Sequence, residues 1–180
     1  MTYKIILLGD TMVGKSSLVI RYVFQTVSDN QCPTIGAAMF SKYINTPKFR
    51  GHLNIWDTAG QERYKSLAPL YYRGATIALV IYDITHPISF TNAKQCIKRL
   101  QISENPIIAL IGNKTDLTLM RVVKYEEGEK WAKENGAFFF ETSIKNDSVD
   151  VVFETLLALL PSEPEQEPVV DIIQTKSRCC

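Results

Sequence analysis

The chain has 180 residues, 46% of them hydrophobic and 22% charged. That balance fits one soluble globular domain, and at this size ~70% of the unfolded surface can be buried. A formal net charge of +1 excludes a strongly basic nucleic-acid binder and a strongly acidic solvating chain.

The first ten residues hold only four consecutive apolar side chains, after Lys4, and no small-residue cleavage site. They predict a strand and not a secretory leader. Strands are expected at residues 3–8, 39–46, 52–56, 77–83, 107–111 and 137–141. Residues 17–24, SLVIRYVF, predict the first helix. Phe90, Ala93, Ile97 and Leu100 recur at spacings of 3, 4 and 3, one face of a second helix. Pro87 suits its first turn, where the missing N–H would be unpaired anyway. Val149, Val152, Phe153, Leu156, Leu157 and Leu160 mark another helix, with Asp147 or Ser148 as its N-cap. No apolar run approaches the ~18 residues of a membrane span.

Strands alternating with helices predict a parallel sheet. Between the second and third strands lie only residues 47–51. A parallel crossover needs a dozen or more residues, so this connection is an antiparallel hairpin. The expected fold class is therefore α/β, a six-stranded, mostly parallel sheet with one antiparallel edge strand and helices on both faces. A single domain spans residues 1–160. Residues 161–180 have three prolines and little periodicity, and predict a flexible tail. Glu163, Glu165, Glu167 and Asp171 against Lys176 and Arg178 give the tail −2 and leave the body +3.

Four cysteines, Cys32, Cys96, Cys179 and Cys180, form no Cys-x-x-Cys or Cys/His metal spacing. That usage predicts a reducing compartment. Cys32 reads as a free thiol and Cys96 as a small buried hydrophobe on a helical face. His52 and His86 stand in no motif with a partner acid or nucleophile and receive no catalytic role.

Gly9-Asp10-Thr11-Met12-Val13-Gly14-Lys15-Ser16 fits G-x-x-x-x-G-K-[ST], with an apolar strand before it and a helix after it. Successive backbone N–H groups in such a loop wrap a β-phosphate, helped by the positive end of the helix. Lys15 adds a point charge for the β- and γ-phosphates, and the Ser16 hydroxyl suits Mg²⁺. Alone, the motif means a nucleoside-triphosphatase or a kinase.

Three later segments narrow the choice. Asp57, in Trp56-Asp57-Thr58-Ala59-Gly60-Gln61, can hold Mg²⁺ through water. Asn113-Lys114-Thr115-Asp116 places a carboxylate at a strand end. Its two oxygens accept side by side, which suits the N1–H and 2-amino group of guanine. Adenine offers no such pair of donors. Glu141-Thr142-Ser143-Ile144-Lys145 ends the last strand. All three leave carboxyl ends of strands, where open α/β sheets bind ligands.

With these segments in this order, the chain resembles the Rab family of Ras-like small GTPases over residues 3–160. Thr34-Ile35-Gly36-Ala37-Ala38, the run WDTAGQERYKSLAPLYYRGA at 56–75 and the terminal Cys179-Cys180 are similar to its early-endosomal branch. The resemblance implies a P-loop GTPase fold and a switch that binds GTP and GDP and hydrolyses GTP slowly. It implies that Gly9, Thr11, Val13, Gly14, Lys15, Ser16 and Ser17 surround the phosphates, and that Ser16, Thr34 and Asp57 serve Mg²⁺. Thr34 and Gly60 would contact the γ-phosphate and Gln61 would orient water. Asn113, Lys114, Asp116, Ser143, Ile144 and Lys145 would hold guanine. Met39, Trp56 and Tyr71 would form an effector surface, although Trp and Tyr are often core residues. Cys179 and Cys180 would carry prenyl groups. Implied partners are an exchange factor, a GTPase-activating protein, effectors, a GDP-dissociation inhibitor and a prenylation escort. No nucleic acid is implied. A monomer would cycle between cytosol and the cytoplasmic face of endomembranes, early endosomes in particular.

The chain departs from the family pattern in places. Thr11 stands where Ras proteins have glycine, which leaves open a nucleotide-held scaffold with little hydrolysis. Met39 replaces a phenylalanine and Ile144 an alanine. Val27 replaces the aromatic that packs on guanine, so faster nucleotide release is expected. Phe24 lies too early to compensate if the first helix still runs there.

Overall fold

A computed structural model describes residues 1–26, 36–60, 71–103, 106–146 and 148–162. Val27, Cys32, Thr34, Gln61, Asp147, Cys179 and Cys180 lie outside the described residues, as does the tail beyond Ser162.

Six strands, β1 (Thr2–Leu8), β2 (Ala37–Thr46), β3 (Phe49–Thr58), β4 (Ile77–Asp83), β5 (Ile107–Asn113) and β6 (Phe138–Thr142), form one sheet in the order β2-β3-β1-β4-β5-β6. Only β2 and β3 pair antiparallel; the other neighbours are parallel. Helices α1 (Lys15–Phe24), α2 (Pro87–Ser103), α3 (Tyr125–Glu134) and α4 (Ser148–Leu157) complete the described elements, with a short 3-10 turn at Thr118–Met120. None of the described helices is long and apolar enough to cross a membrane.

The central strands are apolar on both faces because both are covered. On β1, Ile5 and Leu7 join α1 and α4, where Tyr22 and Phe153 stack in parallel at 3.6 Å. Ile6 and Leu8 point the other way, to α2 and α3. The expected stripe Phe90, Ala93, Ile97 and Leu100 is buried on α2. Cys96 is only half-buried there. The stripe from Val149 to Leu160 is also buried, but the helix ends at Leu157. Leu160 is carried inward by a turn closed by its N–H to the Leu157 carbonyl, 3.0 Å.

The hairpin is tighter than expected. Thr46 pairs with Phe49, so the turn is Pro47-Lys48, and Gly51 lies within β3. Gly51 reads as a turn residue, yet its bareness serves packing. A Cβ there would stand 3.0 Å from the Phe49 ring.

Tyr82 on β4 is fully buried, and its hydroxyl has no hydrogen-bond partner among the described residues. Burial pushes its pKa up. Gly112 and Gly128 make room for it, since a Cβ on either would come within 2.8 Å of the hydroxyl oxygen. A buried hydroxyl without a partner loses hydration and gains nothing. Tyr82→Phe should therefore raise unfolding free energy by about 1 kcal/mol, measured in denaturant at fixed nucleotide excess. A loss of similar size would contradict this reading.

Candidate functional site

The phosphate-loop residues lie at the carboxyl end of β1, where β1 separates β3 from β4. Gly9 (φ 144°) and Gly14 (φ 97°) make the turn possible. A Cβ at Gly9 would meet the Ile81 carbonyl oxygen at 2.2 Å, and one at Gly14 the Asn113 amide nitrogen at 2.4 Å. Met12, also left-handed at φ 67°, is a non-glycine residue held in a strained conformation. Gly60 sits directly on this loop, where a Cβ would be 2.4 Å from the Thr11 nitrogen.

Lys15 opens α1 and is buried to 6% exposure. Its ammonium donates to the Asp10 carbonyl at 2.8 Å. Burial lowers its pKa, while the charges of Asp57 and Asp10 oppose that shift. Asp10 is fixed from α2 by the Asn92 amide, which donates to its carboxylate at 2.7 Å. The Ser16 hydroxyl donates to Asp57 at 2.5 Å. One hydroxyl and one carboxylate beside a phosphate cradle fit Mg²⁺, which takes a few protein oxygens and completes its shell with phosphate and water. No larger cluster of His, Cys, Asp and Glu competes for a metal among the described residues.

The base end is built from β5 and β6. The Asn113 amide donates to the Val13 carbonyl at 2.8 Å, tying this end to the phosphate loop. Thr142 donates to the Asn113 side-chain oxygen at 3.1 Å. Asp116 receives the Ser143 hydroxyl at 2.8 Å, and its other oxygen pairs with the Lys145 ammonium at 2.7 Å. A carboxylate has about four acceptor positions, and Ser143, Lys145 and the Asp116 backbone N–H all compete for them, so a pair of ring donors would displace one. Lys114, at φ 68°, reaches Asp83 at 2.7 Å. The Lys145 N–H donates to Ser143, which shapes the turn at Ile144. A cavity of about 410 Å³ opens beside the phosphate loop, toward α2, lined by Asp10–Val13, Gly60, Asp83, Asn92 and Lys114 among others.

Burial alone would raise the pKa of Asp83 and Asp116. Hydrogen bonds from Lys114 and Thr85 to the first, and from Lys145 and Ser143 to the second, prevail and lower both. Their contribution is thus complete above the ordinary carboxylate pKa of ~3.9, and is lost as pH falls through the lowered folded value.

The structure thus gathers Gly9, Thr11, Val13, Gly14, Lys15, Ser16, Asp57, Gly60, Asn113, Lys114, Asp116, Ser143, Ile144 and Lys145 at one edge of the sheet. Met39 and Trp56 pair across β2 and β3, and the Trp56 and Tyr71 rings lie 6.5 Å apart. Met39 is 56% exposed, whereas Trp56 and Tyr71 are half-buried and Trp56 packs against the core. Phe24 ends α1 and meets Phe40 edge-on.

Several contributors escaped the sequence reading. Asp83 had one signal, an acid ending an otherwise apolar strand. Asn92 had none, 82 residues from Asp10. Arg121 grips Glu141 with both guanidinium nitrogens, at 2.6 and 2.7 Å. That hydrogen bonding raises the Arg121 pKa. The pair joins the loop after Asp116 to the strand end that presents Ser143.

The family model for the Ras family matches residues 4–161. The chain is 49% identical to "Ras-related protein Rab5A" of Oryza sativa subsp. japonica, over 91% of this chain and 83% of that protein. It is 46% identical to "Ras-related protein Rab5" of Nicotiana tabacum, over 96% and 88%. It is 43% identical to "Ras-related protein RABF2b" of Arabidopsis thaliana, over 98% and 94%.

The Arg121–Glu141 pair makes a prediction of its own. Alanine at either position should weaken GDP binding, and the double variant should be little worse than the worse single one. The coupling should be ~1–3 kcal/mol by equilibrium binding. Additive losses would show that the two side chains do not act together.

Proposed function

The chain belongs to the Ras family, and from that premise we propose how its residues run the cycle. It is a Rab-type GTP hydrolase acting as a switch in endosomal traffic. The scaffold with little hydrolysis is not favoured.

The observation that carries the residue-level reading is the convergence of Lys15, Asn113 and Asp116 on one sheet edge, with Asn113 bonded to Val13. Asp116 reads the N1–H and 2-amino group of guanine, and Lys145 moves aside or shares the carboxylate. Lys114 and Ile144 flank the base. Lys15 and the N–H groups of 13–17 hold the α- and β-phosphates. Ser16 and Asp57, with Thr34, are the residues that would hold Mg²⁺, which supplies charge neutralisation at the β- and γ-phosphates.

In hydrolysis a water oxygen bonds to the γ-phosphorus while the bond to the β–γ bridging oxygen breaks. GDP leaves with that electron pair, and the water proton passes to phosphate and solvent. Gln61 orients the water and Gly60 donates its N–H to the γ-phosphate. The Ala59 N–H already donates to the Gly36 carbonyl at 2.7 Å. One hydrogen bond thus joins Gly36, in the region around 26–38, to Ala59, beside the region around 60–73, the two regions that would respond to the γ-phosphate. Effectors, an exchange factor, an activating protein, a GDP-dissociation inhibitor and a prenylation escort would read that response. Cys179 and Cys180 would anchor the monomer to the cytoplasmic face of early endosomes. Two lipids are needed there, because one gives marginal binding and the tail has no polybasic patch.

No arginine of the chain is placed by these motifs as a catalytic finger. An activating protein that supplies one should accelerate hydrolysis ~10³–10⁵-fold. In single-turnover assays Gln61→Leu should lose that acceleration. Hydrolysis at the parent rate in this variant would remove Gln61 from its role.

A further inference from the structure

On the face covered by α1 and α4, a second cavity of about 420 Å³ opens between the β2–β3 hairpin and α4. It shares no lining residue with the cavity beside the phosphate loop. Tyr22, Phe49 and Leu157, all buried, form its apolar base, and Ile44 adds an edge. Its volume falls within the range of sites that bind apolar groups.

Its charge is divided. Lys42 and Lys48 lie on the hairpin side. The Lys42 ammonium is fixed, donating to the Tyr22 carbonyl at 2.7 Å and standing 4.1 Å over the Tyr22 ring. On the α4 side Asp150 is engaged by Gln25 at 3.0 Å and Arg21 at 3.9 Å, while Glu154 faces solvent. An acidic segment entering here is drawn to the hairpin and turned away from α4.

The chain leaves the body beside this cavity. The Arg50 N–H, one residue beyond Phe49, donates to the Ser162 hydroxyl at 3.1 Å. The Tyr3 hydroxyl holds the Pro161 carbonyl at 2.5 Å. Beyond Ser162 the sequence is acidic first, at Glu163, Glu165 and Glu167, and then apolar, Val169-Val170-Asp171-Ile172-Ile173. The seven residues from Ser162 to Val169 reach up to about 23–25 Å when extended. Helix α4, with ten residues, is about 15 Å long. The apolar cluster can therefore reach any part of the groove.

We propose that residues 169–173 dock intramolecularly in the groove between the β2–β3 hairpin and α4. The acids at 163, 165 and 167 then pass Lys48 and Arg50, and Asp171 turns toward Lys42 and Lys48. A short tether presents its end at ~mM effective concentration, so modest apolar contacts suffice. Docking fixes the spacing between body and chain end. Residues 174–178 then span at most about 17 Å before Cys179, where the full stretch 163–178 would span about 55 Å. The consequence for distance from a membrane rests on the lipidation reading; the docking itself does not.

The test uses the full-length, unlipidated, GDP-loaded protein. A photoreactive benzoylphenylalanine at position 172 should cross-link within one chain to peptides covering 42–49 or 150–157. Ile172→Asp combined with Ile173→Asp should raise amide hydrogen exchange in those two segments by roughly tenfold, the occupancy expected for a weak site at ~mM tether concentration. GDP release should not change, because the substitutions lie outside the nucleotide site and the folded body. Unchanged exchange overturns the proposal, as does cross-linking to other parts of the body. Cross-links between chains that vanish on dilution also overturn it, in favour of a second copy in the groove. A failure of GDP binding in parent and variant alike would count against the nucleotide site and leave this result readable.

Discussion

A cationic side chain held almost out of water sets the terms for the rest of the molecule. Lys15 is buried at the start of α1, and burial pulls its pKa down. Isolated, such a charge would be expensive. Here the Asp10 carbonyl accepts from it, and Asp10 and Asp57 favour its charged form. Asn92 and Ser16 in turn hold those carboxylates. The arrangement is a cation with its immediate surroundings organised, as the proposed phosphate site requires. Gly9, Gly14 and Gly60 are the positions where a side chain would fill the space that this organisation needs.

The base end is bound to that charge through backbone and side chain together. Asn113 contacts Val13, Thr142 contacts Asn113, and Ser143 contacts Asp116. Arg121 and Glu141 close the outer side. The ends of β1, β5 and β6 are therefore joined by one hydrogen-bonded network. The hydrogen bond from Ala59 to Gly36 joins the ends of β3 and β2 beside it.

Much of this was legible in the sequence, because strand ends and phosphate-loop spacing are local. The motifs at 9–16, 57–61, 113–116 and 141–145 all fell at carboxyl ends of strands, as their alternation implied. The limits of elements were less legible where one residue serves two purposes. Gly51 reads as a turn and acts as bare surface for Phe49. The strand expected at 107–111 continues through Asn113, because Gly112 and Asn113 pair with β4 on one side and β6 on the other. Leu160 continues a helical stripe after the helix has stopped. Pairings between distant loops, Asn92 with Asp10 and Arg121 with Glu141, have no periodicity to reveal them. They arise only when the sheet brings its strand ends together.

In the proposed cycle one network recognises phosphate through Lys15 and guanine through Asp116. Thermal unfolding of the nucleotide-stripped protein, titrated with GDP, ADP or pyrophosphate, tests it most directly. Specific binding to the folded state raises the transition with ligand concentration. The account predicts a large, concentration-dependent rise with GDP, and with ADP no more than with pyrophosphate, whose phosphates alone engage Lys15. Equal stabilisation by ADP and GDP would contradict it.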